Sequence, residues 1–555
     1  MNDGGLRAAT TRRSSYGHSL FSILDECKVD LLALMLLLCV AAAFRYETLF
    51  NDRTSIDEDL PLIQAHGFET SDPLPQIFRR SQLRIDRSLL GTLARIARAQ
   101  NYPPITTLLV MSVRDAADPI LAARLLLGLI AVAVIPVVFF ATRALAGTLT
   151  ATIASAYVAL SSALAVTAQQ MKWYAPAVTL ATLAGILAHR ISVAEHPSRR
   201  LWAGYAATLV LLMHVHYFCS WIVVGHAWVF MSVARDKLGR LAVVAAGIAI
   251  CCLPWYALGL PGQIEFTRVD WDSLAAVDRA TRPEGFAIWA APLTGASGPA
   301  ALAYSAGAIL GFMPSFWRSR EVLPFIFIAC LLIARALASR EVAVRRFALL
   351  ACCPPAVAMF GQTLYAFALG HVVPLTAFYF VPWMPLVMTT VILGARDLRA
   401  GRAAARTFAA TAVGLCLVLA TVTVVHSHVP RLVEWSQGLC GLRNLAGVLR
   451  SLEAKDVAFV FVSESDARRL TLYYRGDALQ IVASGPLPRV PDSVRQLILV
   501  TPADVALPQS WGGWTPNGAG RNVGRNRLTE FVRINDGAAR ACRRYEPDEL
   551  DRNDL

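Results

Sequence analysis

Charged side chains are scarce in this sequence. Asp, Glu, Lys and Arg make up 16% of its 555 residues, whereas soluble domains carry about 25%. The chain is 55% hydrophobic with a mean hydropathy of +0.49, and apolar segments recur at the length that crosses about 30 Å of hydrocarbon. These values exclude an ordinary soluble globular protein and predict a multi-pass membrane protein.

Motifs of several common functional classes are also missing. The sequence has no glycine-rich nucleotide-binding loop and no internal repeat of about 20–50 residues. Its 11 cysteines form no CxxC pair of the kind that binds metals. Cys440 and Cys542 lie in the polar C-terminal region, and we predict a disulfide between them outside the cytoplasm. The net charge of +13 is concentrated in short loops between apolar segments, so it predicts membrane topology rather than nucleic-acid binding.

The alternation of basic and poorly charged turns predicts about eleven membrane spans. The N-terminal tail (1–28) is then cytoplasmic, with basic residues that suit a retained signal anchor, and the C-terminus lies outside. Ala300–Met313 is apolar but spoils the alternation, so we interpret it as a re-entrant or interfacial segment. The predicted spans are 31–44, 118–141, 149–168, 173–190, 202–218, 219–234, 241–259, 323–337, 347–366, 376–394 and 407–427.

The transmembrane domain is predicted to cover 29–427, with large outer loops at about 47–117 and 260–322. The remaining residues, 428–555, hold the short β-like segments 458–462 and 497–500, and a helical segment follows the first of them. The predicted fold class is therefore an all-α polytopic membrane protein with a small C-terminal α/β domain outside the cytoplasm.

Three consecutive carboxylates, Asp57-Glu58-Asp59, follow the first predicted span. Negative charges beside a bilayer are costly unless they bind cations or transfer protons, so the triplet is a candidate site. The alternative is a solvated helix start, where the helix dipole stabilises acidic side chains.

Other motifs fall on the same predicted face in a recognisable order. A Pro-Pro motif precedes the second span, a Gln-rich turn joins the third and fourth, a His-Tyr pair ends the fifth, and a Tyr-x-x-Pro-x-x-Pro motif opens a late span. With Asp57-Glu58, this order resembles multispan glycosyltransferases of the GT-C fold, particularly the protein-mannosyltransferase and aminoarabinose-transferase branch, over about residues 30–425. The motifs are Tyr102-Pro103-Pro104-Ile105, Gln169-Gln170-Met171-Lys172-Trp173-Tyr174, His216-Tyr217 and Phe378-Tyr379-Phe380-Val381-Pro382-Trp383-Met384-Pro385.

The chain departs from the family's pattern at four of these positions. Tyr102 stands where the family has the histidine of His-Pro-Pro-Leu. Gln170 and Lys172 replace the acid and the arginine of Gln-Glu-Ala-Arg-x-Tyr, and Phe378 replaces the arginine of Arg-Tyr-Leu-Leu-Pro-x-x-Pro. One carboxylate and one phosphate-binding cation of the family's pattern are thus missing.

The resemblance implies transfer of a sugar from a polyprenyl phosphate to a hydroxyl of a cell-envelope glycan, lipid or protein, with inversion. A loop carboxylate at the level of the lipid headgroup supplies a general base. We predict Asp57 for this role, with Glu58 orienting the acceptor or sharing a divalent cation, Mg²⁺ or Mn²⁺, with Asp57. The leaving phosphate needs a cation, for which Lys172 is the first candidate and Arg84 and Arg87 the second. The alternatives are a snorkelling lysine and solvated loop arginines.

The remaining candidates are polar or aromatic side chains of the same motifs. His216 and Tyr217 are predicted to contact the donor, although a hydrogen-bonded core histidine is an equal alternative. Trp173 and Trp383 are interpreted as belt aromatics, and interfacial anchoring is also the alternative for the pocket tyrosines. The predicted substrate pocket consists of Tyr102, Gln169, Gln170, Tyr174 and Tyr379.

Other functions are open to a polytopic chain. A lipid or glycan transporter or flippase is the main alternative, but transporters have charged or broken helices at the bilayer midplane and internal symmetry. A structural scaffold leaves the acidic triplet unexplained. A relative without transferase activity is the remaining alternative, given the altered motifs.

Overall fold

The computed structural model describes most of the chain. Some helix ends, including the first turn of the helix that begins at Ile56, are described as backbone only. The described residues are 20–46, 56–68, 74–83, 85–99, 103–168, 170–281, 289–290, 310, 319–369, 373–374, 377–399, 403–436, 442–454, 456–462, 467, 470, 474, 476–483, 487–502, 514–518, 520–523 and 526–533. The predicted pair Cys440 and Cys542 lies outside them.

Helices dominate as far as residue 451. They are α1 (Leu20–Tyr46), α2 (Ile56–Ala65), α3 (Leu89–Ala99), α4 (Ile105–Met111), α5 (Pro119–Val132), α6 (Val134–Ala146), α7 (Thr148–Ala159), α8 (Ser162–Ala168), α9 (Tyr174–Val193), α10 (Arg199–Met213), α11 (Ser220–Val233), α12 (Leu238–Thr281), α13 (Ser319–Leu337), α14 (Val342–Leu369), α15 (Ala377–Phe380), α16 (Met384–Arg399), α17 (Ala403–Ser436) and α18 (Leu442–Ser451).

Local sequence explains where several helices begin. Asp118 caps α5, because its side chain accepts a hydrogen bond from the backbone N–H of Leu121 at 3.0 Å, and Pro119 occupies the first helical position. Ser198 caps α10 in the same way through Leu201. Gly147 separates α6 from α7 with a φ of +82°, a conformation that glycine adopts without strain.

Five helices in the described part of the chain are long and apolar enough to cross a membrane. Each coincides with a predicted span, which confirms the helical, polytopic class at this level; the count of eleven stays a prediction. Shorter apolar helices occur at Thr148–Ala159, Tyr217–Val233 and Pro324–Leu337. The five are Pro119–Ala146, Tyr174–Val193, Arg235–Pro261, Val342–Gln362 and Ala403–Val422.

Other predicted spans contain breaks. The segment predicted at 149–168 is split between α7 and α8 at Leu160 and Ser161. The span predicted at 202–218 stops being α-helical at Met213, and a short 3-10 turn, Tyr217–Cys219, follows. The span predicted at 376–394 is broken between α15 and α16 by a 3-10 turn, Val381–Trp383. Backbone groups freed at such breaks need other partners. The backbone oxygen of His214 has one in the N–H of Ile105.

Helix directions define two ends of the bundle. α9, α11 and α16 run from predicted motifs towards basic turns, and α10 runs back. We call residues 103–104, 170–174, 214–218 and 379–383 the motif end, and residues 143–147, 190–200, 234–240, 335–346 and 396–399 the basic end. Buried apolar side chains of α1, α6 to α11, α13, α14, α16 and α17 form one continuous core between them.

The C-terminal part of the chain forms a mixed sheet. Its strands are β4 (Val457–Phe461), β5 (Leu479–Val482), β6 (Gln496–Pro502), β7 (Trp514–Pro516), β8 (Arg521–Val523) and β9 (Asn526–Arg533). β4 is central and parallel to β5 and β6, while β9 pairs antiparallel to β6. The predicted β segments are thus strands, with ends shifted by a residue or two. The free edge of β5 is occupied by β1 (Ile77–Phe78), from the predicted first outer loop, a pairing that the sequence did not indicate. A separate pair of short strands, β2 (Trp289–Ala290) and β3 (Val373–Pro374), links two other segments.

Candidate active site at the motif end

The acidic triplet begins helix α2. Asp57 and Glu58 lie in its first turn, where the positive end of the helix dipole stabilises carboxylates. This placement agrees with both the catalytic hypothesis and the simple helix start. Their side chains lie outside the described residues, as do Arg84, Tyr102 and Gln169 entirely.

The far end of α2 is anchored to α4. Gln64 is 3% exposed, and its Oε1 accepts a hydrogen bond from Thr107 Oγ1 of α4 at 3.3 Å. Leu62 and Val110 belong to one buried cluster that joins the two helices. Asp57 precedes Gln64 by seven residues, about two turns or 10 Å of helix, and therefore shares its face.

Two arginines hold the C-terminal end of α2. Arg95 is 3% exposed and its Nη2 donates to Gln64 O at 3.4 Å. Nη1 of Arg114 donates to Ala65 O at 3.1 Å and to Arg87 O at 3.0 Å. Cations are stabilised at this end of a helix dipole, so both guanidinium groups fix the orientation of α2.

Neighbouring polar residues complete this junction. His66 is buried, and its Nδ1 lies 2.8 Å from Leu62 O. Burial lowers the pKa of His66, which keeps the ring neutral next to the arginines. Arg87, predicted to bind phosphate, is half exposed and lies 3.3 Å from Asp115 Oδ1, an exposed ion pair of small energy.

The Pro-Pro motif is hydrogen-bonded to His214, two residues before the His-Tyr motif. Pro104 caps α4, and the N–H of Ile105 donates to His214 O at 3.1 Å. This bond satisfies a carbonyl that the end of α10 leaves free. Nδ1 of His214 lies 2.9 Å from the backbone oxygen of Val210, so this side chain hydrogen-bonds to its own helix.

His216 and Trp173 stack at the centre of the site. Their ring centroids are 4.0 Å apart with 27° between the planes, and His216 is 8% exposed. Nδ1 of His216 accepts a hydrogen bond from the N–H of Phe218 at 3.1 Å. Nδ1 therefore carries no proton, the ring is neutral, and Nε2–H is its donor.

Tyr379 joins the late motif to this stack. Its ring centroid lies 5.8 Å from that of His216, 6.0 Å from Trp173 and 5.0 Å from Phe218. Motifs separated by more than 150 residues of chain therefore meet in one aromatic cluster. Trp383 packs on Phe218 at 5.4 Å.

The interpretation of the two tryptophans as belt aromatics is wrong. Trp173 is 5% exposed and Trp383 is 2% exposed, so neither faces lipid. Belt residues lie at the membrane surface, whereas these rings are packed inside the protein against other motif residues.

The Gln-rich turn places polar groups beside the cluster. Nζ of Lys172 lies 5.8 Å from the centroid of the Tyr174 ring, which is cation–π distance. Oε1 of Gln170 is buried without a hydrogen-bond partner in the described structure. A buried acceptor left unsatisfied costs free energy, so a donor from a bound hydroxyl is favoured there.

The Tyr217 ring packs against α12, whereas the His216 ring stacks on Trp173. The Tyr217 ring meets Tyr256 of α12 edge to face, with centroids 5.0 Å apart and 83° between the planes. The two members of the His-Tyr motif thus connect the aromatic cluster to α12.

Some site residues were missed by the sequence reasoning. Gln64 could have been predicted from the sequence, because it lies two helical turns after Asp57. Phe218 could have been predicted because it directly follows the His-Tyr motif. Arg95 and Arg114 had no such signal, because only the tertiary fold brings them to α2.

No group of three His, Cys, Asp or Glu side chains with metal-site geometry occurs among the residues described. Asp57 and Glu58, the predicted cation ligands, have side chains outside that set.

Comparisons with known proteins show similarity in structure. No protein-family model and no curated protein matches the sequence. The structure is similar to ArnT from Cupriavidus metallidurans in the apo state, with a TM-score of 0.50 and 12% identity over 92% of this chain and 97% of ArnT. The same protein bound to undecaprenyl phosphate matches with a TM-score of 0.51 and 13% identity over the same shares of the two chains.

This similarity spans both the helical bundle and the C-terminal sheet. At 12–13% identity it demonstrates architecture, and the architecture is the one that the order of motifs indicated. The chain has the GT-C fold of the aminoarabinose transferase ArnT.

Proposed function

We propose that this protein is an integral inner-membrane glycosyltransferase. It moves a sugar from a polyprenyl-phosphate donor to a hydroxyl of a cell-envelope glycan, lipid or protein at the outer face. The observation that carries the proposal is the meeting of separate motifs at one end of a GT-C bundle. One ArnT structure with this fold is bound to undecaprenyl phosphate, which supports a polyprenyl-phosphate donor here.

Asp57 is the general base of the proposed reaction. The acceptor oxygen attacks the anomeric carbon while the bond from that carbon to the phosphate oxygen breaks, and the acceptor proton passes to Asp57. The sugar is transferred with inversion, and the polyprenyl phosphate leaves. Anchoring of α2 through Gln64 and Arg95 holds the helix that carries Asp57, and fixed geometry is a large part of catalysis.

Lys172 stabilises the negative charge that develops on the leaving phosphate. It lies on the turn that carries Trp173 into the aromatic cluster, so its backbone is held close to His216. Arg87 and Arg84, on the first outer loop, are the further cations of this proposal.

The sugar binds beside the aromatic cluster. Aromatic faces pack against the apolar face of a sugar ring, and Tyr379, which is only partly buried, supplies such a face; the buried Trp173 and Tyr174 belong to the same cluster. Oε1 of Gln170 is an acceptor for a sugar hydroxyl, and Nε2–H of His216 is a donor. The described residues give no comparable support to the alternative function of a transporter or flippase.

The proposed topology places the motif end and the C-terminal domain outside. Two single-cysteine variants test it: one has a cysteine in place of Arg402, and the other keeps only Cys440, which without Cys542 is free of the predicted disulfide. The proposed topology places position 402 inside and position 440 outside. An impermeant thiol reagent should label position 440 in intact cells and leave position 402 unlabelled. The reverse pattern would refute the arrangement.

Mass spectrometry of cell-envelope glycans, with and without this chain, tests the function. Cells with the chain should contain a glycan, lipid or protein carrying one additional sugar. An Asp57→Asn chain produced at the same level in the membrane should fail to restore it. Identical envelopes with and without the chain would contradict the proposal.

A further inference from the structure

The C-terminal sheet is completed by the first outer loop. β1 pairs antiparallel with β5, with Ile77 opposite Ile481 and Phe78 opposite Gln480. The N–H of Val482 donates to Gln76 O at 2.8 Å. An edge strand with unpaired backbone groups is a docking surface for another strand, and here the partner comes from about 400 residues earlier in the chain.

Side chains on both faces of the sheet fix this strand. Phe78 is 1% exposed and belongs to the buried cluster that contains Phe459 and Tyr474. Ile77 packs on the opposite cluster, which contains Ile481. Both side chains of the short strand therefore contribute to the core of the C-terminal domain.

A carboxylate secures the turn after β1. Oδ1 of Asp477 accepts the N–H of Ser81 at 2.9 Å, and Oδ2 accepts the Ser81 hydroxyl at 2.9 Å. Nη1 of Arg79 donates to the backbone oxygen of Asp477 at 2.6 Å. Asp477 is held in turn by Glu453, whose Oε1 accepts its N–H at 2.8 Å.

The docked segment is connected at its base to α2. Phe68, three residues after α2, forms an antiparallel bridge with Ile85, and the N–H of Asp86 donates to Gly67 O at 3.0 Å. Gly67 has a φ of +92°, and a Cβ there would lie 2.6 Å from Asp86 O. Only glycine permits this close approach. Because the bridge and the hydrogen bond join residues 67–68 to 85–86, the two ends of the loop segment meet at the end of α2.

We propose that the C-terminal domain, through its pairing with β1 and the Asp477–Ser81 contacts, positions the first outer loop and thereby helix α2 for transfer. The proposal rests on the proposed function, because α2 carries Asp57. Asp477 is a positioning residue: it acts through the loop and has no contact with the reacting atoms. The C-terminal domain is then part of the catalytic architecture and not an appended binding module.

A disulfide across the strand pair tests the docking itself. Antiparallel partners have Cα atoms about 4.5–5.5 Å apart, within the range of about 4.4–6.8 Å that a disulfide needs. The full-length chain with Ile77→Cys and Ile481→Cys should form the bond, identified by peptide mass mapping without reductant. The control, Ile77→Cys with Leu479→Cys, is two residues out of register and should form little. Equal cross-linking of both pairs, or none of the first, would overturn the docking.

The role of Asp477 is tested by its effect on turnover. Asp477→Ala should lower kcat for sugar transfer by about 10-fold through misplacement of the base, with the donor KM unchanged. Asp477→Asn keeps an oxygen for the Ser81 N–H and should stay close to wild type. The 77–481 disulfide should restore turnover to Asp477→Ala, and reductant should abolish the restoration. Full turnover of Asp477→Ala, or a loss that the disulfide does not restore, would refute the positioning role.

These outcomes separate this proposal from the proposed function. If the wild-type chain transfers no sugar, the function fails, and the register-specific disulfide still reports docking. If the wild-type chain transfers sugar and Asp477→Ala does so equally, only the positioning role fails.

Discussion

The two ends of the bundle use their polar residues differently. At the basic end, charges meet charges or backbone oxygens: Arg335 lies 2.8 Å from Asp397, and Arg396 lies 2.9 Å from Glu341. At the motif end, aromatic rings stack around a neutral histidine and a glutamine oxygen is left without a hydrogen-bond partner in the described structure. The ion pairs of the basic end stabilise the fold, whereas at the motif end a hydroxyl of a bound molecule would satisfy the Gln170 oxygen.

The basic end also joins neighbouring helices through backbone carbonyls. Lys237 donates to Glu195 O at 2.5 Å and Arg240 to Pro197 O at 3.1 Å, which ties the start of α12 to the turn before α10. Positive charge at this end therefore contributes to packing, and the proposed topology would give it a second role in membrane orientation. The comparison predicts that substitutions at the motif end alter transfer, and substitutions at the basic end alter stability.

Loss of the general base should have the largest effect. Asp57→Asn keeps the side-chain size but removes basicity, so transfer should fall by about 10²–10⁴-fold, while binding of the lipid donor is retained. The measurement is transfer of labelled sugar from polyprenyl phosphate by purified protein. Asp236→Asn, which changes an exposed carboxylate at the basic end, is the matched control and should transfer normally. Near-normal transfer by Asp57→Asn would direct attention to Glu58 or Asp59.

Removal of the cation at the motif end should have the next largest effect. Lys172→Met should reduce turnover by about 10²-fold and also weaken donor binding, because it removes the charge opposite the phosphate. Lys237→Met removes a lysine from the basic end and should lower the melting temperature with little change in transfer per folded molecule. Equal losses of transfer in both variants would contradict the distinction between the two ends.

A break in the ion pairs near the basic end should affect stability alone. Asp30 accepts from Thr148 Oγ1 at 2.8 Å and lies 2.6 Å from Arg143. Asp30→Ala should destabilise the protein by about 1–3 kcal/mol, since Arg143 and Thr148 lose their acceptor. Thermal unfolding in detergent gives the change in stability. A specific loss of turnover with unchanged stability would place Asp30 in the catalytic machinery.

Acidification should have a small effect on the docked loop. Hydrogen bonding from the Ser81 N–H lowers the pKa of Asp477 below its usual value. A lowered folded-state pKa gives stability that is present above the unfolded pKa and is lost as pH falls through the folded value. Deuterium uptake at 76–82 should therefore be constant, after correction for intrinsic exchange, from about pH 8 to 5 and rise only below about pH 4. A rise between pH 7 and 5 would show that another group controls docking.

Much of the helical bundle could be predicted from the sequence, because its apolar segments are long and its motifs are chemically distinctive. Apolar segments such as 119–146 and 342–362 exceed the length of a membrane crossing, and the predicted spans coincide with them. His216, Trp173 and Tyr379, from three of the motifs, are in contact, and the roles predicted for His216 and Tyr379 stay predictions.

What the sequence did not indicate depends on distant contacts. Nothing in the two residues of β1 specifies β5 as a partner, because strand pairing across such a separation is decided by the assembled core. Tryptophan is common at membrane interfaces, so the sequence did not reveal that Trp173 and Trp383 are buried. Their neighbours in the folded protein bury them. The break after Met213 is stabilised by a bond from Ile105, which local propensity cannot encode.

In the proposed reaction, the motif end receives the phosphate of a polyprenyl lipid. Undecaprenyl phosphate with a photoreactive group beside its phosphate should be irradiated with the full-length protein in bilayer discs, and the modified peptides mapped by mass spectrometry. Adducts should form within 170–174, 214–218 and 379–383, and both excess unlabelled lipid and Lys172→Met should reduce them. Adducts confined to 190–200, 234–240 and 335–346 at the basic end would contradict it.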